Sequence, residues 1–357
     1  LKLNSIELHY FRSYEQQRFE FAAGGNLIIG ANGSGKTNLL EAIAYTSIGK
    51  SIRYHQDVEL IKAGKEHFTV SARYTTDINM ELKVRLAYAK MRKILKLNNE
   101  VKHQLSSLFS VIKVIYCAPD DIGLINGSPR IRRQYFDLAI SQIFPQYIAV
   151  LRDYLHVVEQ RNQLLKKEFS PEEKKSWDIK FAESLCALYP YRKRYLDMLN
   201  RQFTASYQEI SPKTKNLKLS YSPVLHNAFE LELDDILMQL QQYESREKIW
   251  QRCLVGAHLD DYGFSMERFG MRAYSSQGQK RIAVILLKLI QAKLIESNTN
   301  ISPILLFDDV FAELDYSHGE KIQELCKENY QIFIASPKED VRQIFGKMPI
   351  IRLGDSA

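Results

Sequence analysis

The run Gly30-Ala31-Asn32-Gly33-Ser34-Gly35-Lys36-Thr37 completes a G-x-x-x-x-G-K-T loop. The apolar residues Leu27-Ile28-Ile29 precede it, and the helix-like stretch from Asn38 to Ile43 follows. Strand, glycine-rich turn and helix therefore come in the order that phosphate binding requires. Backbone N–H groups around Asn32, Gly33, Ser34, Gly35 and Asn38 would cradle phosphate, and the helix N-terminus adds its dipole. Lys36 is expected to reach the β- and γ-phosphates of ATP, and the Thr37 hydroxyl to ligate Mg²⁺. Far along the chain, Ile304-Leu305-Leu306-Phe307-Asp308-Asp309 reads as a buried parallel strand ending in two acids at a crevice. Asp308 can hold the metal and Asp309 can polarise the attacking water. A third element, Ser276-Gln277-Gly278-Gln279, heads the apolar helix that begins near Ile282. A polar, glycine-bearing helix start is a second phosphate-binding end. One loop already holds the nucleotide, so the economical place for the second is against ATP on another copy of the chain.

The elements that must position these groups can be read from periodicity. Ile6, Leu8 and Tyr10 alternate, then Phe19 and Phe21, as in a hairpin feeding the first parallel strand. Phe68 to Tyr74, Met80 to Tyr88 and Ile94 to Leu97 alternate likewise, with Asn98-Asn99 as a turn. Val111 to Ile115 reads as a core strand. Beyond Arg133 the spacing becomes helical: Leu151, Leu155, Val158, Asn162 and Leu165 form one stripe. Phe181, Leu185, Leu188 and Tyr189 form a second, which Pro190 is expected to break. Leu217 to Tyr221 reads as a strand, and Ile332 to Ser336 as another parallel one. No heptad run is long enough for a coiled-coil arm. The expected fold class is α/β: a P-loop ATPase core with an antiparallel β-subdomain and an inserted, mostly helical lobe. The expected boundaries are 1–121, 122–250 and 251–357.

Bulk properties agree. The chain has 357 residues, 45% apolar and 25% charged, which fits an ordinary globular protein. Its cysteines, Cys117, Cys186, Cys253 and Cys326, are scattered without a C-x-x-C, so neither a zinc site nor a disulfide framework is suggested. No leader pattern or membrane-length apolar stretch is read, and a reducing cytoplasm is the expected compartment. The net charge of +7 permits an anionic partner such as nucleic acid.

With these residues in view, the chain resembles the bacterial RecF family of DNA replication and repair proteins, relatives of the chromosome-maintenance and Rad50 ATPase heads. The likeness rests on Phe11-Arg12-Ser13-Tyr14, the loop through Ile43, Gly49 to Arg53, and Pro119-Asp120-Asp121. It continues through Arg132 to Asp137, Gln160 to Leu165, Gly256 to Asp261, the Ser276 element and Phe307 to Asp315. It departs at Ala257 and Leu259, where the family usually has Pro and Arg, and at Ser336, where a Thr switch residue is usual.

The resemblance implies an ABC-type ATPase whose Ser276 element acts in trans, with Leu314 and Asp315 in the dimer-contact loop, Ser336 as switch and Arg12 among the ATP contacts. It further implies an ATP-dependent homodimer that hydrolyses ATP slowly, stimulated by DNA, as part of the SOS response in the nucleoid. The partners implied are double-stranded and gapped DNA, RecO and RecR, and indirectly RecA and single-strand-binding protein. Candidate DNA contacts are Lys90, Arg92 and Lys93 near a turn, and Arg130, Arg132 and Arg133. Lys166, Lys167, Arg192, Lys193 and Arg194 extend that set. The alternatives are another ATP-gated DNA clamp and, from a different class, a transporter's ATPase subunit. The Gln160-Arg161-Asn162 helix and the Phe11-Arg12 pair argue against the transporter.

Overall fold

The computed structural model describes residues 1–53, 56–211, 216–311, 314–326 and 330–354. They fall into two compact units, Leu1–Asp121 with Arg281–Ala357, and Ile122–Lys280. Among the described residues no helix is long and apolar enough to cross a membrane.

The first unit opens with β1 (Lys2–Phe11) and β2 (Tyr14–Glu20), an antiparallel pair in which β1 buries Leu3, Ile6, Leu8 and Phe11 and β2 buries Phe19. β3 (Gly25–Ile29) is buried along its whole length, as a strand covered on both faces must be. Gly25 has φ 101°, and a Cβ there would lie 1.8 Å from the Ile332 carbonyl oxygen, so only glycine permits that approach. Helix α1 (Lys36–Ile48) follows the glycine loop, and β4 (His67–Thr75), β5 (Glu81–Ala89), β6 (Arg92–Leu97) and β7 (Glu100–Lys102) form a meander. Lys90-Met91 and Asn98-Asn99 make its last two turns with positive φ, the backbone that suits tight hairpins. The core strand expected from Val111 starts later, as β8 (Val114–Cys117), after Lys113 turns its ammonium back to the Phe109 carbonyl.

The second unit contains helices α2 (Pro129–Ile143), α3 (Tyr147–Leu164), α4 (Pro171–Ile210) and α5 (Leu233–Trp250). Strand β9 (Leu217–Ser222) lies between α4 and α5, and β10 (Asp261–Met266) with β11 (Phe269–Gly270) completes a three-stranded sheet. That pairing carries the unit to Lys280, past the boundary expected at 250, because β10 is bonded along its length to β9. Helix α4 also corrects an expectation, since it runs unbroken through Pro190. A proline inside a helix costs about 3 kcal/mol. The buried stripe of Leu185, Leu188, Tyr189, Tyr195 and Leu196 on both sides of it offsets that, at about 1.5–3 kcal/mol per large apolar side chain.

Helix α6 (Gln277–Thr299) leads back into the first unit, where β12 (Ile304–Asp308), α7 (Tyr316–Leu325), β13 (Ile332–Ser336) and β14 (Ile350–Arg352) complete the chain. The strand orders are β2-β1-β4-β5-β6-β7, antiparallel, and β14-β3-β13-β12-β8, parallel. Helix α1 touches strands of both sheets and buries 11 of its 13 residues, so its apolar character runs all round it. In the parallel sheet, Ile29 pairs with Ser336, and Ala335 with Asp308. This register brings the carboxyl ends of β3, β13 and β12 into one row, the place where open α/β sheets bind ligands.

A nucleotide-phosphate site at the strand ends

The row at the strand ends holds the residues whose types suggested chemistry. Gly35 has φ 98° and caps α1, and a Cβ there would meet the Tyr14 hydroxyl at 2.8 Å. That hydroxyl donates to the Gly35 carbonyl at 3.0 Å, and Asn38 Nδ2 donates to Ser13 Oγ at 2.9 Å, so the first hairpin braces the loop. The loop's tip, Asn32 and Gly33, is exposed, while Ser34 and Lys36 are buried. Lys36 Nζ donates to the carbonyls of Gly30 at 2.8 Å and Ala31 at 2.9 Å.

Thr37 and Asp308 lie 271 residues apart in sequence, yet the Thr37 hydroxyl donates to Asp308 Oδ1 at 3.0 Å. The other carboxylate oxygen of Asp308 accepts from the Tyr116 hydroxyl at 2.7 Å. Asp309 follows at φ 55°, with its N–H bonded to the Ala335 carbonyl. Burial, and then the neighbouring Asp308 carboxylate, raise its pKa above the usual aspartate value, while Lys36 opposes them. Asp309 Oδ1 and Ser34 Oγ are buried with no hydrogen-bond partner. Unpaired buried polar atoms are costly, and ligand groups that bonded these two would remove that cost. The set fits a nucleotide phosphate with its magnesium ion: an open glycine loop, an ammonium, a hydroxyl and a carboxylate. Magnesium commonly takes only one or two protein oxygens.

Arg12, also at positive φ, donates to the Glu59 carbonyl at 2.7 Å, and its Nε lies 3.7 Å from the fully buried Glu41. Glu41 accepts from Ser51 Oγ at 2.6 Å, and burial pushes its pKa up. Ser336 ends β13, buried, and its hydroxyl accepts the Lys338 N–H at 3.2 Å. Asp315 is the exposed N-cap residue of α7, with half-buried Leu314 before it. Ala312 and Glu313, within the Phe307 to Asp315 stretch, lie outside the described residues.

The Ser276 element belongs to the second unit. Ser276 Oγ accepts from the Gln279 N–H at 3.2 Å, and Gln279 Oε1 accepts from the Ser276 N–H at 2.9 Å, the reciprocal bonds of a capping box. Ser276, Gln277 and Gly278 are exposed, and a Cβ on Gly278 would meet nothing. The helix start is thus ordered and bare.

Several basic candidates are bonded within the fold. Arg132 is buried and grips both oxygens of Asp261, at 2.7 and 2.8 Å. Arg133 donates to the Asp260 carbonyl at 2.7 Å. Lys93 pairs with Asp57 at 2.5 Å and lies over the Tyr45 ring. Arg192 is buried against Asp137, Tyr221 and the Ala257 carbonyl. Lys90, Arg92 and Arg130 are exposed. The Gln160-Arg161-Asn162 helix is a structural clasp. Arg161 bonds both oxygens of Glu247, at 3.0 and 2.7 Å, and Asp178 at 2.8 Å, while Asn162 accepts the Cys253 N–H. Arg161→Ala strands the fully buried Glu247 carboxylate, and a loss of about 3–5 kcal/mol is expected. Urea unfolding of the variant checks it, and a loss under 1 kcal/mol would refute the clasp.

Tyr116 was not singled out from sequence. Its signal is positional: it is the penultimate residue of β8, and Leu306, two residues before Asp308 on the neighbouring strand, is its register partner.

The family described as the RecF/RecN/SMC N terminal domain matches residues 2–350. The "DNA replication and repair protein RecF" of Streptococcus gordonii is 34% identical over 341 residues, covering 94% of this chain and 93% of its own. The protein of the same name from Cyanothece sp. is 33% identical over 349 residues, with 94% and 91% covered. Among solved structures, the recombination mediator protein RecF with ATP, described as part of the RecFOR pathway, superposes with a TM-score of 0.88. It is 30% identical, with 95% of this chain and 92% of that one covered. An Smc head bound to the ScpA winged-helix domain, at 19% identity and a TM-score of 0.54, shares the fold.

Proposed function

This chain belongs to the RecF family, and from that premise we propose that it is an ATP-gated recombination mediator that grips DNA as a dimer. Its fold is that of a P-loop ATPase able to bind and hydrolyse ATP. One observation supports the reading most: the 3.0 Å bond from Thr37 to Asp308, which brings together, from opposite ends of the sequence, the residues that would hold phosphate and metal.

ATP would seat its phosphates on the N–H groups of Asn32 to Asn38, with Ser34 Oγ supplying a bond it otherwise lacks. Lys36 would exchange its two carbonyl partners for phosphate oxygens, a stronger charge-assisted contact. A magnesium ion held by Thr37 and Asp308 would neutralise phosphate charge. Tyr116 fixes the Asp308 carboxylate in place for it. Asp309, with one buried oxygen unbonded, would accept a proton from the attacking water. Ser336, at the adjacent strand end, would sense the γ-phosphate side of the site.

Ser276 to Gln279 would meet the ATP of a second copy, with Leu314 and Asp315 lining the same contact. Closure would then depend on ATP, and hydrolysis would release it. The partners would be double-stranded and gapped DNA and proteins of the RecO and RecR kind, leading to loading of RecA on strands coated with single-strand-binding protein. DNA stimulation of slow hydrolysis and association with the nucleoid follow from the same reading.

The test is Asp309→Asn. Expected is ATP affinity near wild type, with hydrolysis lowered about a hundredfold or more, the range for losing a general base. Single-turnover hydrolysis and calorimetry read the two quantities. Normal hydrolysis in this variant would assign water activation to another group.

A further inference from the structure

Where a DNA backbone would be held is a further question, and the outward face of the antiparallel sheet bears on it. Alternate residues of β1, β2, β4, β5 and β6 point away from α1, and they line a concavity whose ionisable members are Arg18, Arg73, Lys83, Arg85, Lys96 and Glu7. Five cations and one carboxylate thus line it. Glu7 is paired with His9 at 2.9 Å, Arg18 with Glu20, and Lys83 with Glu81. Among the described residues, no carboxylate lies within ion-pair distance of Arg73, Arg85 or Lys96.

The register makes this face unusual. Arg85 lies directly opposite Lys96, and Arg73 directly opposite Lys83, on neighbouring strand pairs. Like charges directly opposite each other destabilise a sheet. Two such pairs side by side therefore make sense for a surface completed by an anion. The rung Arg18, Glu7, Ser71, Arg85, Lys96 crosses five strands, a reach of roughly 19 Å at about 4.8 Å per strand. That is wide enough for several phosphates of one duplex and too wide for a single nucleotide. The outward positions in register with this rung carry no Phe, Tyr or Trp: Gln16, His9, Thr69, Ala87 and Ile94 on one side, Glu20, Ser5, Arg73 and Lys83 on the other. Single-strand binders stack bases on aromatic rings, so this face suits a duplex backbone.

We propose that this sheet face is the sequence-blind contact surface for duplex DNA, with Arg73, Arg85 and Lys96 neutralising phosphates. The inference rests on the DNA-binding reading above and names the surface that serves it.

The experiment measures binding of a blunt duplex oligonucleotide in the presence of ATP across a salt series. It compares wild type with the triple variant Arg73→Ala/Arg85→Ala/Lys96→Ala. Each phosphate contact contributes about 0.9 to the slope of log K against log salt, so the slope should fall by about 2–3. Affinity at low salt should fall tenfold or more, with ATP affinity unchanged. A second variant, Arg85→Glu, sets an acid opposite Lys96. It should melt at a higher temperature than wild type yet bind duplex more weakly, a combination that a merely structural role would not produce. Wild-type affinity and slope in the folded triple variant would overturn the surface and leave the DNA-binding reading standing. Failure of wild type itself to bind duplex would overturn that reading and the surface with it.

Discussion

Lys36→Ala is expected to eliminate tight ATP binding. The ammonium is buried at the base of the loop, held 2.8 and 2.9 Å from two loop carbonyls, where its charge would meet entering phosphates. Hydrogen bonds to charged groups contribute about 1.5–3 kcal/mol each, and alanine removes both the bonds and the charge. An affinity loss of about a hundredfold or more is expected. The fold should survive, because α1 stays packed between strands of both sheets through Leu39, Leu40, Ile43 and Ala44. Titration calorimetry with ATP, alongside circular dichroism, reads both. Unchanged affinity in a folded variant would remove the loop from nucleotide binding.

Ser276→Arg is expected to leave that binding nearly intact while abolishing ATP-driven association. The exposed hydroxyl caps α6, and Gly278 beside it has open space where a side chain would stand. Both features suit close approach to an anion supplied from outside the chain. Arginine adds bulk and removes the capping oxygen. The cap loss alone costs about 1 kcal/mol, too little to unfold the chain. Hydrolysis should then fall with association, since half of the site is missing, and duplex affinity should fall too if the DNA surface spans two copies. Loss of ATP affinity comparable to that of Lys36→Ala would contradict the assignment of this element to a partner's site.

What the sequence revealed was local, and what it concealed was register. The glycine loop, the Asp308-Asp309 strand end and the Ser276 helix start are contiguous, so residue types and neighbours sufficed to find them. The bond from Tyr116 to Asp308 exists only because β8 and β12 pair in one register, which no window of sequence contains. The bracing of Glu41 by Ser51 depends likewise on how the chain returns to α1.

Three of the basic candidates are drawn into the fold by the phase of their elements. Arg132 stands at helical spacing with Phe136, Ala139 and Ile143, and Arg192 with Leu185, Leu188 and Tyr189, so their stripes carried them inward. Lys93 alternates with Leu95 and Leu97, the buried side of β6. Arg73, Arg85 and Lys96 fall on the opposite phase of their strands, and the same period-two pattern sends them outward. Charge type alone could not separate these groups; phase could. Pro190 shows the opposite limit, a strong local rule overridden by the packing of a 40-residue helix.

The central claim is that ATP joins two copies of this chain through a site neither completes alone. Sedimentation of the wild-type protein and of Ser276→Arg, each with and without ATP and Mg²⁺, tests it most directly. The account predicts that ATP doubles the wild-type mass from 41.5 kDa and leaves Ser276→Arg at the monomer mass. A Ser276→Arg chain that dimerises with ATP as wild type does would contradict it.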